Sequence, residues 1–231
     1  QARLAGAGMD ACIAAELARG HLPPGALSTS ALARMRPAID QLLDATPVGE
    51  PDSVEVNVRL DDGRLLIGTV PGVVGNAVRT VTYSRLKPKN RLAAWARYLA
   101  LEARYAVGVG RRRAGGTAPA QSRVARLPAG GLDPSTARGH LHDLVAVYDR
   151  GLCEPLPVYC ATSAAYAGKR GAAAAAKAWN SAKYPGECAD PEHQLVLGGI
   201  VPFDDLDGPL FQEYARRLWT GLLTAEVVED R

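Results

Sequence analysis

Hydrophobic positions along the chain change period several times, and each change marks an element. Residues 9–19 and 29–45 carry apolar side chains at helical spacing. In the second stretch Leu32, Met35, Ile39, Leu42 and Leu43 form the stripe, Ser28 or Ser30 is placed to cap it, and Pro37 is expected to kink it or to begin its second half. Gly20 to Gly25, with Pro23-Pro24, reads as the turn between the two. The period then falls to two. Val54, Val56 and Val58 alternate with Glu55, Asn57 and Arg59, and after Asp61-Asp62-Gly63 the run Leu65 to Val70 continues, the pattern of a β-hairpin with a glycine-containing turn. Breaks at Gly72 and Gly75 are expected to precede a third strand at 77–83.

The spacing next predicts a helix over about 88–104, with Pro88 in its first turn, Leu92, Trp95, Ala96, Leu99 and Ala103 on one face, and Arg97 and Arg104 opposite. A strand-like stretch at 106–112 leads through a flexible segment at 114–121 to a further strand at 123–127. Asp133 and Pro134 open another helix, whose apolar face is Leu141, Leu144, Val145 and Tyr148 and whose end is Gly151. Thr162 or Ser163 starts an Ala-rich helix running through Ala172–Ala176 to Trp179. A loop-rich region with the short apolar run Leu195–Leu197 follows, then an amphipathic helix from about Pro209 bearing Phe211, Tyr214, Leu218 and Leu222. The expected organisation is a helical segment over 1–50, an α/β core over 51–151, and a helical extension over 152–231 packed on the same domain.

Composition and charge narrow the function classes. With 231 residues, 47% of them hydrophobic, the chain can bury a substantial core. It has no run of eighteen apolar residues and no signal-peptide pattern, which points to a soluble cytoplasmic protein, and opening on Gln1 rather than Met points to a piece of something longer. Cys12, Cys153, Cys160 and Cys188 show no CxxC pairing, and His21, His140, His142 and His193 are not spaced with them as zinc ligands, so neither a metal nor another cofactor is expected and the thiols read as reduced and mostly buried. The net charge of +3 conceals a polarity. Residues 79–126 hold twelve Lys/Arg against the single acid Glu102, whereas residues 186–231 hold ten acids against three bases.

The order helix, three strands, helix, strand resembles the αβββαβ core of the PD-(D/E)XK nucleases. In the RecB-type branch of that superfamily the second strand carries G-x-x-D and the third carries D-x-K. Here Gly68-Thr69-Val70-Pro71 stands at the first place and Thr82-Tyr83-Ser84 at the second, followed by Arg85-Leu86-Lys87-Pro88-Lys89. Two carboxylates are needed to hold the divalent cation that activates water, and the lysine neutralises charge. Pro71, Thr82 and Ser84 supply none of this, so the fold is expected to be a catalytically degenerate one.

More specifically, LLIGTVPGV, VTYSRLKPKNRLAAWARYLAL, EPLPVYCATSAAYA, YPGECADPEHQLVLGG and LFQEYARRLWTGLL resemble the C-terminal domain of the RecC family, the gamma subunits of exodeoxyribonuclease V (RecBCD), from about residue 54 to the end. That resemblance implies a domain without catalysis of its own, docking RecB-like and RecD-like subunits close to DNA. The four-cysteine iron–sulfur clamp of the paralogous AddB-type nucleases has no counterpart in the cysteine spacing. Alternatives are a metal-dependent nuclease whose acids have migrated and a free-standing DNA-binding module.

Two basic clusters, Arg85/Lys87/Lys89/Arg91 and Arg111-Arg112-Arg113, are the candidates for DNA contact, which would be sequence-tolerant and salt-sensitive. They also suit a solvated surface, or a pairing with the acidic tail of this domain or of a partner. Asp204, Asp205 and Asp207 read as surface and as a helix cap rather than a metal cluster. His140 and His142 read as exposed, and Ser163 lacks the G-x-S-x-G setting of a nucleophile. Trp95, Trp179, Phe211 and Trp219 fall on core stripes, with Trp179 the one suited to anchor an interface.

Overall fold

The computed structural model describes residues 3, 6–23, 25–47, 49–101, 106–111, 122–128, 132–181 and 186–230. Two helices, α1 (Met9–Ala18) and α2 (Ala26–Asp44), come first. α2 begins earlier than the serines suggested: Gly25 turns the chain at φ 68°, and the Ser28 hydroxyl donates to the Gly25 carbonyl at 2.7 Å instead of capping. Pro37 sits inside this helix.

The hairpin follows as β1 (Asp52–Arg59) and β2 (Leu65–Val74). At its tip the Gly63 N–H donates to the Leu60 carbonyl and the Leu60 N–H to Arg64, with Gly63 at φ 85°, a three-residue loop whose last position favours glycine. Val56, Val58 and Leu60 are buried, as the alternation requires. Gly72 does not end the strand. Asp52 pairs with Val73 and Ser53 with Pro71, so Gly72, at φ 79°, is the extra residue of a β-bulge. The bulge shifts the side-chain phase by one, which is why Val70 and Val73 both reach the same core.

A two-residue turn at Gly75-Asn76 leads into β3 (Ala77–Arg85), and α3 (Pro88–Ala100) crosses to β4 (Ala106–Arg111), which lies parallel to β3. β5 (Ser122–Leu127) pairs antiparallel with β4. The segment 114–121, the end of the expected helix at 102–104, and residues 112 and 113 lie outside the described residues.

α4 (Pro134–Cys153) starts where the sequence placed it. Asp133 accepts from the Ser135 and Thr136 backbone N–H groups and from their hydroxyls, which holds its carboxyl far below the usual aspartate range. A depressed pKa gives stability that is present above the unfolded value, near 4, and lost as pH falls below it. Asp133→Ala is expected to lower the thermal midpoint by about 2–4 °C at pH 7. The gap from the parent should narrow below about pH 4; a gap independent of pH would count against the capping role. The helix runs past Gly151, and Val147 rather than Tyr148 is buried, because the last turns overhang the core and leave Tyr148 and Leu152 exposed.

The Ala-rich stretch is two helices, α5 (Cys160–Ala167) and α6 (Gly171–Trp179), broken between Gly168 and Gly171, the latter at φ 51°. α7 (Pro191–Leu197) is short, and α8 (Pro209–Ala225) has the expected stripe. Asp207 does not cap α8; its Oδ1 accepts from Gln212 Nε2 at 2.9 Å. A final strand, β6 (Val227–Asp230), adds to β5. The sequence pattern had shown only a helix there.

Among the described residues the result is a mixed α/β fold with one six-stranded sheet in the order β1-β2-β3-β4-β5-β6. α3, α4, α5 and α8 bury the main core, around Val58, Val78, Trp95, Tyr98, Leu99, Leu141, Trp219 and Leu222. α2 covers the opposite face over β3–β5, where Leu42 meets Val124 and Val81. A second cluster joins Tyr159, Trp179, Phe203 and Phe211. No helix of the described residues is long and apolar enough to cross a membrane. Of the cysteines, all free, only Cys188 is buried and Cys153 is exposed.

Candidate functional site

A cleft opens where two strands part. β2 and β3 pair at Val73/Val78 and Val74/Ala77, so beyond the Gly72 bulge the β2-facing edge of Arg79–Val81 has no strand partner among the described residues. The resulting cleft, about 440 Å³, is walled by Asp52 and Ser53 of β1, Pro71 and Gly72 of β2, Arg79, Thr80 and Val81 of β3, and Arg97 of α3. Gly72 is needed at this spot on two grounds: its positive φ, and an approach in which a Cβ would come within 3.1 Å of the Arg79 carbonyl.

Of the three positions the sequence marked as degenerate, Pro71 lines this cleft and Thr82 and Ser84 do not. They lie further along β3, where the Ser84 N–H donates to Thr82 Oγ1 at 3.2 Å. Thr80 is the β3 hydroxyl residue that lines the opening, and its Oγ1 accepts from Arg97 at 3.5 Å. Arg97, read from the sequence as lying on the face of α3 away from the core, therefore points toward the sheet.

Among the described residues, Asp52 is the one carboxylate-bearing residue that lines the cleft, together with Arg79 and Arg97. That donor set does not fit a divalent cation, which needs several oxygen ligands and is repelled by nearby positive charge. Among the described residues Arg79 donates to the Pro47 and Gly49 carbonyls, at 3.1 and 3.3 Å, and neither Arg79 nor Arg97 meets a carboxylate. Arg91, Arg126 and Arg217, also half-buried, do: they pair with Glu226, Glu229 and Asp143.

The basic residues are spread over different settings. The β3/β4 register seats Arg85 opposite Arg111, while Arg112 and Arg113 lie outside the described residues. Arg91 belongs to the fold: its Nε donates to Glu226 Oε1 at 2.9 Å and a second nitrogen to Oε2, with side chains 19% and 4% exposed. Arg126 likewise meets Glu229. Part of the basic middle thus pairs with the acidic tail of the same chain.

Lys87 and Lys89 share a cleft of about 430 Å³ with Cys160, Glu187 and Asp190. Burial, with Glu187 adding to it, pushes the Cys160 thiol up to about 11, so it stays protonated at neutral pH and is a poor nucleophile. Glu187, Asp190 and His193 bring one possible ligand atom each to within 4.8 Å of one another, a grouping that the spacing E-x-x-D-x-x-H could have signalled. Both Glu187 oxygens, however, accept backbone N–H groups of α5, from Ala161 at 2.9 Å and Thr162 at 2.7 Å. Ser163 is fully buried, out of reach of any substrate. His140 is packed 5.6 Å from Trp95, and His142 lies 3.5 Å from Asp61.

Residues 1–171 match the family model of the RecC C-terminal domain. The RecBCD enzyme subunit RecC of Mycobacterium tuberculosis is 33% identical over 91% of the chain, and that of Mycolicibacterium smegmatis 39% identical over 92%. The chain spans about a fifth (21%) of the length of these curated relatives. It belongs to the RecC C-terminal domain family.

Proposed function

We propose that the chain is a non-catalytic, nuclease-like scaffold domain of a RecBCD-type helicase–nuclease acting in double-strand break repair, where it docks RecB-like and RecD-like subunits and lies against DNA. The observation that carries the reading is the family match together with relatives named as RecC subunits of the RecBCD enzyme. The order α2-β1-β2-β3-α3-β4 supports a PD-(D/E)XK ancestry, and the single carboxylate beside two arginines supports the loss of metal-dependent cleavage. Leu195, Val196 and Ile200, each at least 60% exposed, supply apolar surface suited to a protein partner, and Arg85, Lys87, Lys89 and the 111–113 run supply charge suited to phosphates.

The test is a pair of measurements. Incubated with single- or double-stranded DNA and magnesium or manganese, the chain should release no fragments above background. Expressed in its longer parent with RecB-like and RecD-like proteins, it should co-purify with both. Cleavage that Asp52→Asn abolishes would sink the scaffold reading in favour of a nuclease with relocated acids.

A further inference from the structure

The geometry points to the β2/β3 cleft as a metal-independent phosphodiester site, in which Arg97 and Arg79 hold the backbone of a single nucleic-acid strand. The inference rests on the proposed function above and names the ligand class of its cleft.

Three observations carry it. First, the charge in the cleft is unbalanced in favour of the cations. Arg97 and Arg79 are half-buried, no carboxylate approaches either within ion-pair distance among the described residues, and Asp52 is exposed with its Oδ1 accepting from the Ser53 N–H. Elsewhere the chain supplies a carboxylate to arginines of similar burial, as at Arg91, Arg126 and Arg217. A guanidinium held partly out of water with most of its N–H donors unused is complementary to an anion, and its planar fork matches a phosphate oxygen pair.

Second, neutral donors face the same opening. Thr80 brings a hydroxyl, Ser53 is among the lining residues, and the β2-facing backbone edge of Arg79–Val81 lies beyond the β2/β3 pairing. Third, size and shape exclude a closed ion-sized hole. About 440 Å³, open between two diverging strands, takes a nucleotide and lets a chain pass through. In this arrangement, among the described residues, positive charge is present while the set of carboxylates that would hold a cation and activate water is not. A strand would be held there without being cut.

The experiment measures binding of a fluorescein-labelled single-stranded thymidine oligomer to the full chain by anisotropy across a salt series, with excess EDTA present, and uses inorganic phosphate as competitor. Arg97→Gln is expected to weaken binding about tenfold and to reduce the salt slope by about 0.7, the change that follows when one phosphate of a single strand is no longer neutralised. Arg59→Gln, on the outer face of β1, should leave both unchanged. Arg79→Gln should weaken binding similarly, and because Arg79 also holds the Pro47 and Gly49 carbonyls, its fold is checked by circular dichroism. Equal affinity and slope in the parent and Arg97→Gln would overturn the assignment. So would a requirement for magnesium. Displacement of heat unfolding by inorganic phosphate without any oligomer binding would overturn the strand and leave a free-phosphate site. Co-purification with RecB-like and RecD-like subunits is expected to survive Arg97→Gln, so failure of this site and failure of the scaffold reading are told apart.

Discussion

Arg91→Met is expected to lower the free energy of unfolding by about 3–5 kcal/mol, the usual cost of removing one partner from a buried, hydrogen-bonded ion pair. The pair joins the first turn of α3 to the end of α8, where the chain turns into β6, and spans 135 residues of sequence. Two parallel N–H to oxygen bonds fix the planar guanidinium against Glu226, whose side chain is only 4% exposed. Methionine preserves much of the apolar stem but leaves that carboxylate without its counter-charge and away from water. The double variant Arg91→Met/Glu226→Leu should recover most of the loss, because a hydrophobic pair of similar volume carries no desolvation penalty. Urea unfolding followed by tryptophan fluorescence measures both. A single variant within about 0.5 kcal/mol of the parent, the range of an ordinary surface change, would refute the structural role. The same protein, still folded at low temperature, should keep its salt slope for DNA, since Arg91 is spoken for inside the fold.

That residue shows where the sequence is a poor guide. A run of Arg and Lys looks the same whether each side chain meets water, phosphate or a carboxylate far along the chain, and Glu226 is beyond the reach of any local pattern. Local patterns were informative where the physics is local. The two-residue period of Val54, Val56 and Val58, the Asp133-Pro134 start of α4, and the Phe211/Tyr214/Leu218/Leu222 stripe of α8 each fix an element through its own periodicity or capping. Glycine was ambiguous: Gly72 reads as a break yet forms a bulge through which pairing continues, and Gly168 and Gly171 divide what composition presents as one helix. β6 is four residues without alternation, and its place depends on β5 offering an edge. The cleft was legible in part. Pro71, singled out by motif position, lines the cleft, but which residue of β3 faces it depends on where β2 diverges, and the bulge decides that, so Thr80 and Arg97 emerge only in three dimensions.

Trp179→Ala is expected to cost about 3–5 kcal/mol, as for other fully buried aromatic residues truncated to alanine. The sequence suggested Trp179 as an anchor for a partner, but it is 1% exposed within the chain's own second cluster. Its ring lies 4.8 Å from Tyr159, and its Nε1 donates to the Val201 carbonyl at 2.8 Å, pinning the segment after α7. Losing it leaves a cavity between α6 and the Phe203/Phe211 pair and an unsatisfied carbonyl. The more informative question is how far the damage travels. α8 turns Phe211 and Ala215 to this cluster and Tyr214, Leu218, Trp219 and Leu222 to the main core, so one helix serves both. We propose on this basis that 152–231 and 51–151 unfold as one cooperative unit. Far-ultraviolet and near-ultraviolet circular dichroism should then give coincident single transitions for Trp179→Ala, both shifted to lower denaturant with an unchanged slope. An early aromatic transition that leaves the sheet signal at its parental midpoint would mean that the C-terminal helices fold apart from the sheet. A loss of about 4 kcal/mol is a large share of a typical domain's 5–15, which makes the two outcomes easy to separate.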